Sequence, residues 1–346
     1  MSRPGSALVQ LTLWRFREFM REPEALFWVF AFPILLALAL GIAFRGRGLP
    51  TARIAVAAEA PGAVALAARL DAWPRIDAIV LDSAAAAVRL RVGRIALIVH
   101  GGDPTILEFD STRSESDVAQ LLVRSALQEL AGRRDIITIG EHPVTERGSR
   151  YIDFLIPGLL GLNIMGTGMW GVGFGIVRSR QNRLLKRFLA SPMRKRDFLL
   201  GNIMARLTFL LLEVPIVVLF GRFAFGVPVR GSWLDLLLFS VLGAMTFAGL
   251  GLLVASRART VEGVSGLMNL VMVPMWIFSG VFFAWSNFPD SFEPVIRALP
   301  LTALNDALRS VMLEGSPIAS NLGPIVVLLG WGLLSFGLAL RLFRWD

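Results

Sequence analysis

The sequence predicts an all-α polytopic membrane protein of six transmembrane helices, with a small α/β extracytoplasmic domain inserted between spans one and two. Three observations carry this. Apolar residues gather in long uncharged runs, one stretch over residues 45–150 has an ordinary soluble composition, and Lys and Arg concentrate on alternate loops. With 55% hydrophobic residues and a mean hydropathy of +0.63 over 346 residues, the chain has a membrane composition. Crossing the hydrocarbon core as a helix takes about 20 apolar residues, because no water is there to satisfy the backbone.

The elements follow in order. Residues 1–24 hold an amphipathic stretch, Ala7 to Met20, with Leu8, Leu11, Phe16 and Phe19 beside Arg15, Arg17 and Glu18. It reads as a cytoplasmic interfacial helix, serving as a simple anchor or as a docking surface. Span one is residues 25–44; Gly41 and Ala43 have the spacing of a signal cleavage site, but a leader of 24 residues and an apolar run of 20 are too long for one. A signal anchor is the expectation.

Residues 45–150 carry short β-type runs at Arg53–Ala57, Ile76–Leu81, Ile95–Val99 and Thr105–Phe109. Helical spacing appears at Ala63–Leu70 and at Ser116–Leu130, where Val118, Leu121, Leu122, Ser125 and Leu130 recur at threes and fours. A domain of this size can hold its own core. Gly101 and Gly102 read as a hairpin turn in preference to an anion cradle, and His100 with Asp103 lacks a third metal ligand.

Residues 151–346 hold the remaining spans: Phe154–Val177, Leu199–Phe220, Leu236–Ser256, Gly263–Pro289 and Gly315–Leu340. The third contains Arg206 and Glu213 and rests on the charges flanking it. Arg3, Arg15, Arg17 and Arg21 precede span one, and eight basic residues crowd the loop 178–202. Arg257 and Arg259 follow span four, and Arg341 and Arg344 follow span six, whereas the opposite short loops hold only Arg222, Arg230, Arg297 and Arg309. Positive loops stay in the cytoplasm, so both termini are expected there and the inserted domain outside.

Inside the membrane, Glu213 is costly and needs a cavity or a partner, in a substrate or proton role or in an interhelical hydrogen bond. Arg206 is seven residues away, about 10 Å along the axis, which predicts that the two do not pair and that Arg206 snorkels to the surface. Pro215 loosens the helix beside Glu213. In span two, Gly171 and Gly175, with Gly161, Gly166 and Gly168, predict close helix packing. Asn163 and Thr167 share a face and serve either a translocation path or interhelical bonding. Trp170, Trp276, Trp285 and Trp331 read as packing or interfacial aromatics.

Several function classes fall away. The net charge of +9 places its arginines beside the apolar runs, which is a topology signal and not nucleic-acid binding. There is no cysteine, and His100 and His142 both lie in the soluble stretch, so thiol chemistry, cysteine or histidine-cluster metal sites and membrane proteases lack their residues. The only lysines, Lys186 and Lys195, are each followed by arginine, so no nucleotide-binding loop of the form G-x-x-x-x-G-K-[ST] exists. ATP, if used, is hydrolysed by another subunit.

The loop helix Ser179–Ala190 sets Leu184, Leu185, Phe188 and Leu189 beside Arg180, Arg183, Lys186 and Arg187, and Pro192 stops it. Such a helix can hold anionic lipid or transmit a push from a partner. The run Arg180-Gln181-Asn182-Arg183-Leu184-Leu185-Lys186-Arg187-Phe188-Leu189-Ala190-Ser191-Pro192-Met193, followed by Gly201, resembles the coupling region of ABC-2-type ABC transporter permeases. Pro274, Phe278-Ser279-Gly280-Val281-Phe282-Phe283, Phe288-Pro289, Pro300-Leu301-Thr302 and Ala307-Leu308-Arg309 are similar to the family's fifth-span ending and the outer re-entrant hairpin after it, here residues 286–312.

The resemblance covers nearly the whole chain. It implies a bacterial inner-membrane exporter permease without catalytic residues, metal or cofactor of its own, paired with a second permease copy or a sister permease. ATP and Mg are then held by a cytoplasmic ABC ATPase subunit, and the path takes an amphipathic, drug-like or lipid-like substrate. The coupling residues it points to are Arg180, Gln181, Arg183, Leu184, Leu185, Arg187, Phe188 and Pro192, although the family often has Glu where Gln181 stands. Asn163, Thr167, Glu213, Phe278 and Ser279 are the candidate path residues. The alternative is an ion-gradient-driven secondary transporter using Glu213, a class that normally shows inverted repeats and paired carboxylates.

Overall fold

A computed structural model describes residues 12–13, 16–17, 19–44, 51–133, 148, 150–182 and 195–342, leaving aside the side chains of 195–200 and 202. The chain divides into two compact units, residues 1–45 with 144–346, and residues 46–143. In chain order the elements are α1 (Pro23–Ala43), β1 (Ala52–Ala57), α2 (Ala63–Asp71), β2 (Ile76–Leu81), α3 (Ser83–Arg91), β3 (Leu97–His100), β4 (Ile106–Phe109) and α4 (Ser114–Leu130). Then come α5 (Tyr151–Gln181), α6 (Lys195–Phe225), α7 (Trp233–Ala255), α8 (Val261–Phe278), α9 (Glu293–Ala298), α10 (Pro300–Arg309) and α11 (Leu322–Leu342).

The protein is a membrane protein: among the described residues six helices, α1, α5, α6, α7, α8 and α11, are long and apolar enough to cross a bilayer. Helix α5 lies at the centre of its unit, against α1, α6, α7, α8 and α10. Its glycines allow this. A Cβ on Gly251 of α7 would stand 2.7 Å from the Met169 carbonyl, and one on Gly168 would stand 2.8 Å from Phe247, so α5 and α7 touch through backbone. The close approach is thus made by Gly168, Gly173 and Gly251, whereas Gly166 and Gly171 face open space, contrary to the packing role expected of those two.

Helix α1 changes pitch at Phe27–Ala31, which forms a π-turn ahead of Pro33. Proline has no N–H, so the Val29 carbonyl four residues earlier loses its helical donor. The described part of the N-terminal stretch packs on α6: Phe16 stacks on Phe209 and Phe19 packs on it at a tilt, with ring centroids 5.2 and 4.3 Å away. Leu8 and Leu11 lie outside the described residues.

Helix ends differ from expectation where polar side chains set them. Helix α5 starts at Tyr151, not Phe154, because Asp153 in its first turn is buried yet satisfied. It accepts from the backbone of Gly148 at 2.9 Å and of Arg150 at 3.1 Å, and pairs with the Arg150 guanidinium at 2.8 Å. Helix α8 stops at Phe278, not Pro289, since Gly280 takes a left-handed φ of +68°. Helix α11 starts at Leu322, not Gly315, because Gly315 (φ +74°) and Pro317 break the chain after a π-turn at Ser310–Glu314. Between them α9 and α10 break at Leu299. Helix α10 is largely buried, from Pro300 through Asn305 and again at Ala307 and Leu308.

The smaller unit is an α/β fold. Its sheet has the order β2-β1-β3-β4, with β1 parallel to β2 and β3, and β4 antiparallel to β3. Alternate residues of β1 and β3 face opposite sides. Ile54, Val56, Leu97 and Val99 pack with α2 and α4 on one face, and Ala55 and Ile98 pack with Ala86 of α3 on the other. Residues 101–105 join β3 to β4, as the Gly101-Gly102 turn reading expects, and His100 Nε2 lies 2.9 Å from Glu108 on the paired strand. Helix α3 starts at Asp82, whose carboxylate accepts from the Ala85 amide at 3.4 Å.

Candidate functional site

Within the helical unit a cavity of about 1280 Å³ opens between α1, α5 and α8 and the adjoining face of α6. Its lining is mostly aromatic and aliphatic: Trp28 and Phe32 from α1, Trp170 and Phe174 from α5, Trp276 from α8, and Phe282 beyond it. Its polar lining groups are Asn163 and Thr167 of α5, Arg206 of α6 and Asn269 of α8, with the charged residues Arg21, Glu22, Glu24 and Arg178 at the rim. A large apolar recess with a small number of fixed polar groups is the usual form of a site for an amphipathic molecule.

Asn163, Thr167 and Arg206 are held by identifiable contacts. Asn163 Nδ2 donates to the Val29 carbonyl at 2.9 Å, supplying the donor that Pro33 denies it, and so ties α1 to α5. The Thr167 hydroxyl lies 2.8 Å from the Asn163 carbonyl and 3.2 Å from Glu213 Oε2; its one proton serves one acceptor at a time. Glu213 is fully buried behind Thr167, and Arg206 Nη1 donates to its carboxylate at 2.8 Å.

That ion pair overturns the expectation that Arg206 and Glu213 stand too far apart and that Arg206 snorkels to the surface. Arg206 is 5% exposed. The axial rise of two turns separates backbones, but both residues project from one face, and the glutamate leans toward the helix N-terminus where Arg206 lies. Two extended side chains close the gap.

At one rim of the cavity Arg178, in the last turn of α5, pairs with Glu22 ahead of α1 at 2.6 Å. Both are partly exposed. Close by, Arg180 reaches from α5 to the end of α7, where Nη1 donates to the carbonyls of Ala255, at 3.1 Å, and of Ala258, and Nη2 to that of Ser256 at 3.2 Å. These carbonyls end a helix and lack intrahelical donors, so a guanidinium there also meets the negative end of the helix dipole.

Of the expected coupling residues, Arg180 and Gln181 form the C-terminal turn of α5 and Gln181 is exposed. The separate loop helix expected from Ser179 therefore does not begin there, and Arg183, Leu184, Leu185, Arg187, Phe188 and Pro192 lie outside the described residues. Of the expected path residues, Asn163 and Thr167 line the cavity and Glu213 stands one layer behind. Phe278 and Ser279 stand elsewhere: Phe278 packs on Phe288 and Phe292, and the Ser279 carbonyl accepts from Asn305 Nδ2 at 2.9 Å. Trp170 and Trp276 join the lining, while Trp285 stacks under Arg297 at 4.9 Å and Trp331 donates to the Ala298 carbonyl at 2.8 Å. Sequence reasoning missed Trp28, Phe32 and the Glu22–Arg178 pair, because nothing local in α1 says which helix it faces. No group of three or more His, Cys, Asp or Glu placed to hold a metal occurs among the described residues.

Comparison with known proteins adds the family context. A family model described as ABC-2 family transporter protein matches residues 23–341. The chain is similar to ABC transporter G family member 20 of Dictyostelium discoideum, 27% identical over 167 residues that make up 48% of this chain and 23% of that one, so the match spans about a quarter of the larger protein. It is also similar to the inner membrane transport permease YadH of Escherichia coli, 25% identical over 59% of this chain and 82% of the relative. A third relative is the linearmycin resistance permease protein LnrN of Bacillus subtilis, 22% identical over 51% of this chain and 46% of that protein.

Proposed function

Because the chain belongs to the ABC-2 family of transporter proteins, we propose that it is the permease subunit of an ATP-binding cassette exporter and that the cavity between α1, α5 and α8 is its substrate path. The observation that carries this reading is the cavity itself. At about 1280 Å³ it exceeds an ordinary drug site, and its aromatic lining with a few fixed polar groups suits an amphipathic, drug-like or lipid-like molecule. The relatives YadH, a transport permease, and LnrN, a linearmycin resistance permease, support a transport role.

The energy comes from a separate cytoplasmic ABC ATPase that holds ATP and Mg, since the chain has no phosphate-binding loop. Its docking surface is the basic loop 178–202; with that loop in the cytoplasm both termini lie there too and the α/β unit lies on the other side, and the similarity to YadH supports a bacterial inner membrane. A second permease, identical or a sister, covers part of the apolar surface left exposed on α1 and α8, and lipid covers the rest.

The test is reconstitution with the ATPase encoded beside the gene. Changing Leu184, Leu185 and Phe188 together to Asp is expected to abolish ATPase binding. Gly171→Trp, which fills open space on the cavity side, is expected to keep binding and lose substrate-stimulated hydrolysis. No association with any ATPase, together with ion-driven uptake that Glu213→Gln abolishes, would instead establish a gradient-driven transporter.

A further inference from the structure

The Arg206–Glu213 pair is asymmetric toward the cavity. Arg206 is among the lining residues, whereas Glu213 is not and is fully buried behind Thr167. The other charged lining groups, Arg21, Glu22, Glu24 and Arg178, stand exposed or half-buried at the rim, with Glu22 and Arg178 paired, so the buried charged group that the recess presents among its aromatics is a cation. Arg206 is also under-used. A guanidinium has five N–H donors, and here Nη1 serves Glu213 at 2.8 Å, Nη2 reaches the Ile164 carbonyl at only 3.4 Å, and Nε, buried, has no partner. Arg309, placed in a structural role, uses its fork differently. Its Nε donates to the Phe154 carbonyl at 3.3 Å and Nη2 to the Gly280 carbonyl, and its plane stacks on Phe154.

We propose that Arg206 is the recognition group of the cavity for the oxyanion head of an amphiphile, a carboxylate or phosphate on an apolar tail, and that Glu213 is the counter-ion that holds Arg206 in place while the cavity is empty. This rests on the reading of the cavity as the substrate path. A planar fork with free donors binds a carboxylate or phosphate in two parallel hydrogen bonds, and does so most strongly where water is excluded. The tail lies against Trp28, Trp170 and Trp276, which offer area without competing charge. A cationic amphiphile that passes the rim carboxylates Glu22 and Glu24 meets the arginine and gains no access to Glu213 behind it.

The experiment uses the full chain in phosphatidylcholine nanodiscs and follows tryptophan fluorescence on titration with four probes of equal chain length: dodecyl phosphate, dodecanoate, dodecyltrimethylammonium and the uncharged dodecyl maltoside. Wild type is expected to bind the two anions at least tenfold more tightly than the cation, and the order of the two anions tells phosphate from carboxylate. The paired variant Arg206→Met with Glu213→Gln keeps the net charge and leaves no buried ion alone. It is expected to lose the anion preference while binding dodecyl maltoside as wild type does. An anion preference that survives in the paired variant, or none in wild type, overturns the role of Arg206. Binding of dodecyl maltoside that Gly171→Trp leaves unchanged overturns the cavity reading instead.

Discussion

Replacing Asn163 by Leu removes the donor that completes α1, and its cost depends on whether residue 33 is proline. In the native chain the Val29 carbonyl is buried, has no amide four residues on, and accepts from Asn163 Nδ2 at 2.9 Å. Interhelical hydrogen bonds in bilayers contribute about 0.6 kcal/mol on average and up to about 1.7. A buried acceptor left unsatisfied costs about 1–3 kcal/mol. Asn163→Leu is therefore expected to destabilise the fold by about 1.5 kcal/mol. Pro33→Ala restores an amide at the position from which an α-helix would bond Val29, so the same substitution in that background should cost about 0.5 kcal/mol or less. The coupling is then about 1 kcal/mol, roughly a fivefold difference in the unfolding equilibrium. A double-mutant cycle by reversible unfolding in bicelles measures it. Equal losses in the two backgrounds, within about 0.3 kcal/mol, would refute the claim that Asn163 answers the missing proline donor.

Gly251→Ala places a Cβ 2.7 Å from the Met169 carbonyl, so α5 and α7 must part; a loss of about 1–3 kcal/mol is expected in the same unfolding assay, whereas Gly171→Ala, in open space, should leave stability within about 0.5 kcal/mol. Arg180→Met removes the donors to three carbonyls at the end of α7, and hydrogen exchange of the segment Ala255–Ala258 should speed up without change at the centre of that helix. In the smaller unit the Ser83 hydroxyl donates to Glu59 at 2.7 Å and the Ser83 amide at 3.1 Å, which lowers the carboxyl pKa below its usual 4.5. A lowered folded value means that the contact is present above pH 4.5 and is lost as pH falls through the folded pKa; the Ser83 amide resonance should titrate with a midpoint below 4.5, and a midpoint at or above it removes the interaction from the account.

The spans were legible because an uncharged apolar run long enough to cross a bilayer has almost no other fate. Strands at Ala52–Ala57 and Ile76–Leu81 were legible for a related reason, since β-type runs between turn residues fill a sheet. Helix ends were less so. The uncharged run of span two begins at Phe154, just past Asp153, yet Arg150 and two backbone amides let that carboxylate sit buried in the first turn of α5. The site was half legible: Asn163 and Thr167 announced a polar stripe on an apolar helix, but the cavity needs α1 and α8 brought against α5, and that depends on distant side chains. Gly171 and Gly175 show the limit of a motif, because the same spacing suits a helix contact and a cavity side. For Arg206 and Glu213 the error lay in measuring backbone rise where side-chain reach decides.

Arginines recur at the weak points of this fold. Arg150 donates to the Phe225 carbonyl at the end of α6, Arg180 to the last carbonyls of α7, and Arg309 to the Gly280 carbonyl just past α8; in the smaller unit Arg113 donates to Leu90 and Arg91 at the end of α3. Each reaches carbonyls at or just past the C-terminal, negative end of a helix. Lysine, a point donor, would not span neighbouring carbonyls in one plane as Arg180 and Arg113 do. Two of these clamps start from the ends of α5, and glycine contacts fix its middle to α7, so α5 is the static side of the cavity. Its most hydropathic window is 72% buried, against 22% for α1 and for α8. For α1 to move away from α5, the groups that α5 must release include the Asn163–Val29 bond and the Arg178–Glu22 pair. A disulfide engineered between α1 and α5 beside Val29 and Asn163 should then stop substrate-stimulated hydrolysis while leaving ATPase binding intact, and one between α5 and α7 beside Gly251 should leave both unchanged.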